Sequence, residues 1–254
     1  EIYRCDWSSD VCSSRSLRDG GIAGNLAMTL KTIRASAGQA DLLVFPETCI
    51  SGFPRPDNVA QLAEPLDGPS ATALREAARQ AGVAVAIGLA EADRGRHFNA
   101  GLLIDADGQV LLHYRKTMLY DSDHGVFEAG DRQPVCTWRG LRVGMLICFD
   151  IEFPVPARAL GVQGVDLIVL MDGMMHPHGH IHRHAVPVRA MDNQCYIAMA
   201  NRVGPGDSYA FSGGSQFADP FGQTLARIAG DAEGLLDVRL DPLAPGRARA
   251  QYRG

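Results

Sequence analysis

An α/β fold built on a mixed sheet is predicted by three features of this chain. Short apolar runs with little alternation, such as LLVF at 42–45 and LRVGMLIC at 141–148, have the composition of strands buried on both faces. Segments with apolar residues at helical spacing separate several of these runs. Paired runs joined by turn-forming residues mark antiparallel hairpins. The order reads βα, βα, hairpin, hairpin, βαβα, then further hairpins. At 254 residues the chain is long enough to bury a sizeable core.

In chain order, the first helix is read over LAMTLKTIRASA, with Leu26, Leu30, Ile33 and Ala37 on one face. Asn25 is the expected N-cap and Gly38 the stop. The strand LLVF then ends at Pro46-Glu47. Ser70 to Ala81 forms a second amphipathic helix, stopped by Gly82, and VAVAIGLA follows as a strand. Asn99 to Ile104 and Gln109 to Tyr114 flank Asp105-Ala106-Asp107-Gly108, a hairpin turn. Pro134 to Trp138 and Leu141 to Cys148 pair about Arg139-Gly140. A segment of helical character, Ile151 to Gly161, leads to strand Asp166 to Met171. A helix from Ala185 to Asn193 leads to strand Cys195 to Asn201, and a turn at Asp219-Pro220-Phe221-Gly222 organises short strands near the end.

The first twenty residues, EIYRCDWSSDVCSSRSLRDG, show neither a strand nor a helix period. They resemble one reading frame of a common sequencing adaptor, DWSSDVCSSDL. Residues 1–21 are therefore read as an adaptor-derived or disordered tail that replaces the first strand, and residues 22–254 as the folded domain. A gap in the sheet before Gly24 is the expected consequence.

Composition narrows the function classes. A formal net charge of -5 gives no reason to expect nucleic acid or an anionic membrane as partner. No apolar run approaches the roughly 20 residues of a membrane span, and the first residues lack a signal-peptide core. Six cysteines without regular spacing do not make a disulfide framework, so a reducing, cytoplasmic setting is expected.

Three chemically active side chains follow apolar strands: Glu47, Lys116 and Cys148. Each has an ordinary reading, respectively a turn-lining carboxylate, a solvated edge charge and an inert buried thiol. Strand ends of an α/β sheet can converge at one edge, however, and there the three form a coherent set. A thiol attacks a carbonyl or nitrile carbon, a carboxylate moves protons, and a fixed cation stabilises the oxyanion. Helix N-terminal amides after Cys148 are expected to lower the thiol pKa.

These settings resemble the nitrilase superfamily of carbon–nitrogen hydrolases. The matching stretches are LLVFPE (Leu42 to Glu47), YRKTMLY (Tyr114 to Tyr120) and LICFDIEFP (Leu146 to Pro154), supported by VRAMDNQCYIAMAN (Val188 to Asn201) and SGGSQFADPFG (Ser212 to Gly222). The resemblance implies a four-layer αββα sandwich with mixed sheets, paired into a homodimer or higher homo-oligomer. It implies Glu47 as general base and acid, Lys116 as transition-state stabiliser, Cys148 as nucleophile and the Phe149 backbone N–H as oxyanion donor. It implies a small-molecule amide substrate and no metal or organic cofactor. Asp123 stands four positions before Phe127, where many members carry a second acid. Phe53, Asp172, Met174 and His176 are candidates for the substrate pocket.

Phe149-Asp150 replaces the Trp-Glu of true nitrilases, and CFDIEFP is closer to the Cys-Tyr-Asp-x-Glu-Phe-Pro of aliphatic and ω-amino amidases. Amide substrates are therefore favoured, with N-carbamoyl amines as the alternative and a catalytically idle binding relative as another. Val155 departs from the Glu often found after the elbow proline. His176, His178, His180, His182 and His184 alternate, and His180 and His184 would share a helix face at a metal-compatible spacing. Pro177 and Gly179 argue for a loop there, and no Cys or carboxylate completes a ligand motif. A pocket-lining role is expected instead. A serine hydrolase is disfavoured because G-x-S-x-G is absent.

Overall fold

The computed structural model describes residues 10–230 and 232–252, with the side chains of residues 10–14 excepted. Residues 1–9 of the adaptor-like stretch, Cys5 among them, lie outside the described residues. Two six-stranded mixed sheets dominate. The first has the order β14-β1-β2-β3-β4-β5, built from β1 (Asp10–Ser14), β2 (Leu42–Val44), β3 (Ala84–Asp93), β4 (Arg96–Ile104), β5 (Val110–Arg115) and β14 (Gly234–Val238). The second has the order β13-β12-β9-β8-β7-β6, built from β6 (Val135–Trp138), β7 (Leu141–Ile147), β8 (Leu167–Asp172), β9 (Tyr196–Asn201), β12 (Gln216–Ala218) and β13 (Thr224–Arg227). A two-stranded ribbon, β10 (Val203–Pro205) with β11 (Ala210–Ser212), stands beside them.

Strand alternation decides which face each apolar side chain serves. Leu42 and Val44 of β2 and Leu167, Val169 and Met171 of β8 share one core between the sheets, and Leu43 turns outward. The outer face of the first sheet packs on α1 (Ile22–Ala35) and α3 (Pro69–Ala81), the short α2 (Val59–Leu62) lying beside it. The outer face of the second packs on α4 (Pro154–Gly161) and α5 (Gly179–Asn193). The result is the expected αββα layering. Because both sheet faces are covered, the central strands read as continuous apolar runs.

Several boundaries depart from the sequence reading. α1 begins at Ile22, and Asn25 lies inside it, buried. Its amide holds the backbone of Arg18 and Ile50 rather than capping the helix. The segment after Cys148 is a 3₁₀ turn, Cys148–Glu152, and α4 starts only at Pro154. α5 begins at Gly179, so it takes in His180, His182 and His184 along with Pro187. Gly82, with φ of 66°, ends α3 in the left-handed conformation that glycine adopts without strain.

The gap expected before Gly24 is filled. β1 pairs in parallel with β2 and antiparallel with β14, completing the sheet's backbone ladder. Such pairing is made by main-chain groups and needs no particular side chain. Leu17 is buried in the core against α1 and α3, and Asp19 accepts a hydrogen bond from the buried Arg202 at 2.5 Å. No helix of the described residues is long and apolar enough to cross a membrane.

Candidate active site

Glu47, Lys116 and Cys148 line one cavity at the strand ends of the two sheets. Each is placed by local backbone. β2 ends one residue before Phe45, and the residue after Glu47, Thr48, bends the chain at φ of 43°. Lys116 follows β5, its N–H donating to the Asn99 carbonyl at 2.8 Å. Cys148 follows β7 with φ of 45°. That is a strained conformation for a residue with a Cβ, of the kind concentrated at functional sites.

Lys116 and Glu47 are both buried. The Lys116 Nζ donates to Glu47 Oε1 and to Asp123 Oδ2, each at 2.8 Å. Asn99 Nδ2 donates to the same Glu47 Oε1 at 2.7 Å. Glu47 Oε2 has no hydrogen-bond partner among the described residues. One oxygen thus anchors the carboxylate and the other faces the cavity. Asp123 is where the resemblance put a second acid, and Tyr120 N–H also holds its Oδ2 at 2.9 Å.

Asp150 locks the nucleophile turn. Its two oxygens accept from the Ile147 and Met118 amides at 2.9 Å each and from the Tyr114 hydroxyl at 2.8 Å. Burial raises its carboxyl above the usual range even so.

Burial also governs the titration of the three central groups. It raises the Glu47 carboxyl, with Lys116 acting in the opposite direction. It works against the Lys116 ammonium, but Glu47, Cys148 and Asp123 outweigh it and hold the amine well above its ordinary value. The Cys148 thiol is pushed well up, first by burial and then by Glu47, with Lys116 opposing. The expectation of a lowered thiol pKa is therefore reversed. The turn after Cys148 is 3₁₀ and short, and its amides do not offset desolvation plus a neighbouring carboxylate.

Of the expected pocket residues, Phe53 and Met174 line the cavity. Asp172 is fully buried behind it, and its carboxylate faces His182 Nδ1 at 3.0 Å. His176 is exposed and lines a separate cleft with His180 and Arg183. The shared face of His180 and His184 is exposed as well. Sequence reasoning singled out neither Asn99, Glu152 nor His182. Glu152 stood inside the elbow motif and His182 inside the histidine run, but Asn99 carried no signal in its strand.

Beside the sulfur the cavity offers about 20 Å³, room for one water-sized group. It adjoins a wider cleft of about 280 Å³ that shares Phe53, Ser122, Asp123 and Tyr209. Cys148 Sγ, an Asp172 oxygen and a His182 nitrogen lie within 4.8 Å of one another, close enough for a metal. Both His182 nitrogens already face carboxylates, however, Nδ1 at Asp172 and Nε2 at Glu152 Oε1, 3.2 Å away. A ring engaged in this way has no free lone pair for a metal. The free thiols among the described residues are Cys49, Cys136, Cys148 and Cys195. Burial raises Cys49 and Cys195 to about 12 and Cys136 to about 11.

Known proteins resemble this chain in sequence and in fold. The profile of the carbon–nitrogen hydrolase family matches residues 17–249. An (R)-stereoselective amidase of a Pseudomonas species is 44% identical over 237 residues, covering 92% of this chain and 86% of its own. The 2-oxoglutaramate amidase of Bacillus subtilis is 30% identical over 213 residues, covering 82% of this chain and 81% of its own. A mutant of the amidase of Nesterenkonia sp. AN1, solved with acrylamide added to its active-site cysteine, superposes with a TM-score of 0.86 at 28% identity, over 96% of this chain and 97% of its own. A CN-hydrolase superfamily protein of Xanthomonas campestris, solved with an arsenic adduct in its active site, gives 0.89 at 26% identity, over 97% and 95%. With a family match over nearly its whole length and a relative at 44% identity, the chain belongs to the carbon–nitrogen hydrolase family.

Proposed function

We propose that the chain hydrolyses small linear amides to a carboxylic acid and ammonia through a thioester on Cys148. The observation that carries this reading is the division of labour in Glu47. Oε1 is fixed by Lys116 and Asn99, and Oε2 is unpaired in the cavity that holds the sulfur.

Cys148 rests as a thiol, so its proton must leave as the sulfur attacks. Glu47 Oε2 takes it while the S–C bond forms and the carbonyl π-electrons move onto oxygen. Lys116 and the Phe149 N–H, which at the start of a helical turn has no intrahelical partner, stabilise that oxyanion. The oxyanion collapses and the C–N bond breaks. Glu47 returns the proton to the departing nitrogen, releasing ammonia and leaving the thioester. Water, deprotonated by Glu47, then adds to the thioester. Collapse of the tetrahedral intermediate breaks the C–S bond, releasing the acid and a thiolate that takes its proton back from Glu47. Asp123 shares Lys116 and keeps the ammonium aimed at the cavity.

Amides are favoured over nitriles by Phe149-Asp150 after the nucleophile and by the amidase activities of the relatives named above. The narrow space at the sulfur suits a carbonyl group, and the aromatic cleft bearing Phe53, Phe127, Tyr209 and Phe211 suits the acyl remainder. A cytoplasmic setting is consistent with the free thiols. Self-association is proposed through the outer helical layer, where Val155, Val162, Val188 and Met191 are exposed.

The deciding experiment is an ammonia-release screen of aliphatic amides, ω-amino amides, N-carbamoyl amines and nitriles, with Cys148→Ala as control. Amide turnover that the control abolishes supports the reading. Undiminished release by Cys148→Ala excludes it, and equimolar carbon dioxide moves the assignment to carbamoyl substrates.

A further inference from the structure

Asp172, at the end of β8, is fully buried and its carboxylate lies within 4.8 Å of Cys148 Sγ. Its main chain joins both halves of the site. The Asp172 carbonyl accepts from the Glu47 N–H at 3.3 Å and from the Arg202 N–H at 3.2 Å. The next N–H, that of Gly173, donates to Asp172 Oδ1 at 2.9 Å and also faces the Cys148 sulfur. A Cβ on Gly173 would stand 2.5 Å from Phe53 Cζ and closer still to Glu47 Oε2. The Asp172–Gly173 peptide is thus packed directly against nucleophile and base.

A lone carboxylate in that place opposes formation of a thiolate, and nothing in the mechanism above uses it. His182, 1% exposed on α5, answers it. Its Nδ1 meets both Asp172 oxygens at 3.0 Å, and its Nε2 meets Glu152 Oε1 at 3.2 Å. The ring therefore cannot turn without losing a bond to one carboxylate. We propose that His182 is a positioning residue of the thiol site, a buried cation that holds the Asp172–Gly173 peptide against Cys148 and Glu47 and cancels the carboxylate charge that Lys116, bonded to Glu47 and Asp123, leaves unbalanced. This rests on Cys148 being the nucleophile.

The surrounding charges agree. Facing the ring are Asp172 from β8, with Glu152 and Cys148 from the 3₁₀ turn, and Glu47 and Lys116 stand across the cavity. On α5 itself, His180 and Arg183 point to the outer cleft. The Arg189 guanidinium donates to the Glu152 backbone carbonyl at 3.1 Å, tying α5 to the main chain of the 3₁₀ turn. Burial opposes the imidazolium, but Asp172 and Glu152 outweigh it and push His182 up to about 9. At neutral pH the ring is therefore a cation, held between the Asp172 and Glu152 side chains.

The test is His182→Gln in the full chain, alone and with Asp172→Asn, each checked for folding by circular dichroism. Alkylation of Cys148 by iodoacetamide, located by peptide mapping, is followed against pH alongside kcat and KM. The single variant should move the alkylation profile up by about one unit, slowing labelling near neutral pH about tenfold, because one unit of pKa is tenfold in thiolate. kcat should fall in step, with KM changed by less than about twofold. Asp172→Asn in the same chain should restore labelling, since it removes the charge that His182 balanced. If His182→Gln does not fold, the double variant carries the test, and wild-type labelling by it supports the proposal. A single variant with an unshifted profile would overturn it. So would a double variant that labels no faster than the single, or retention of one zinc per chain after desalting. Labelling needs no turnover, so a shifted profile in a chain that hydrolyses no amide would sink the proposed function and leave this role standing.

Discussion

The carboxylate of Asp150 accepts the Met118 backbone N–H at 2.9 Å and so ties the nucleophile turn to the chain that follows Lys116. The same residue holds the Ile147 amide one position before the nucleophile. Cys148 and Lys116 come from different sheets, and this single side chain fixes their spacing.

Asp150→Asn should therefore damage both stability and rate. An amide at that position turns one acceptor into a donor and leaves buried N–H groups facing it. A loss of about 2–4 kcal/mol is expected from the strength of charge-assisted bonds and the cost of unsatisfied donors. Urea denaturation measures the first effect, and kcat of the folded fraction measures the second.

Removing the base separates proton transfer from binding. Glu47→Gln keeps a group able to accept from Asn99 but takes away the proton acceptor at Oε2. kcat should drop by roughly 10²–10⁴ with little change in KM, the usual worth of general acid–base catalysis. Steady-state ammonia release decides this, and a loss confined to KM would contradict the assigned role.

Lys116→Gln should be at least as costly. The loss of one oxyanion donor alone corresponds to about 2.7–4 kcal/mol of barrier. Here it also leaves Glu47 and Asp123 facing each other without their shared cation. The variant's pH–rate profile should move to higher pH, because burial still raises the Glu47 carboxyl and the Lys116 cation that opposed it is gone.

Gly173→Ala is expected to inactivate without unfolding. Its methyl would press on Phe53 and on the unpaired oxygen of Glu47. Overpacking of this sort costs about 1–3 kcal/mol, which the fold tolerates better than the site does. A near-normal melting temperature with kcat reduced at least about tenfold is the expected pair of results.

Stability should carry the signature of His182. Its pKa rises from 6.5 to about 9 on folding, so the folded chain holds this proton more tightly than the unfolded one. The contribution is complete below 6.5 and is lost as pH rises through about 9. The melting-temperature difference between wild type and His182→Gln should shrink over that window. A difference that stays constant up to pH 10 would show that the ring is held for its shape alone.

Much of this protein was legible in its residues. Runs such as LLVF and LRVGMLIC announced strands covered on both faces, because a strand with no wet side has no reason to alternate. Hairpin turns at Asp105–Gly108 and Arg139-Gly140 were legible because turn chemistry is local. Glu47, Lys116 and Cys148 were legible because each stands at the end of such a run. Tertiary structure alone decided the rest. The thiol's pKa depends on burial and on a carboxylate about a hundred positions away, neither of which spacing encodes. The start of α5 went unread because Pro177 and Gly179 are local breakers, and packing of Val186 and Ala190 on the sheet overrode them. Above all, His182 looked like one histidine among five, and only the fold placed it between Asp172 and Glu152. Charge balance in a buried site is a sum over groups brought together by folding, so it has no image in the order of the chain.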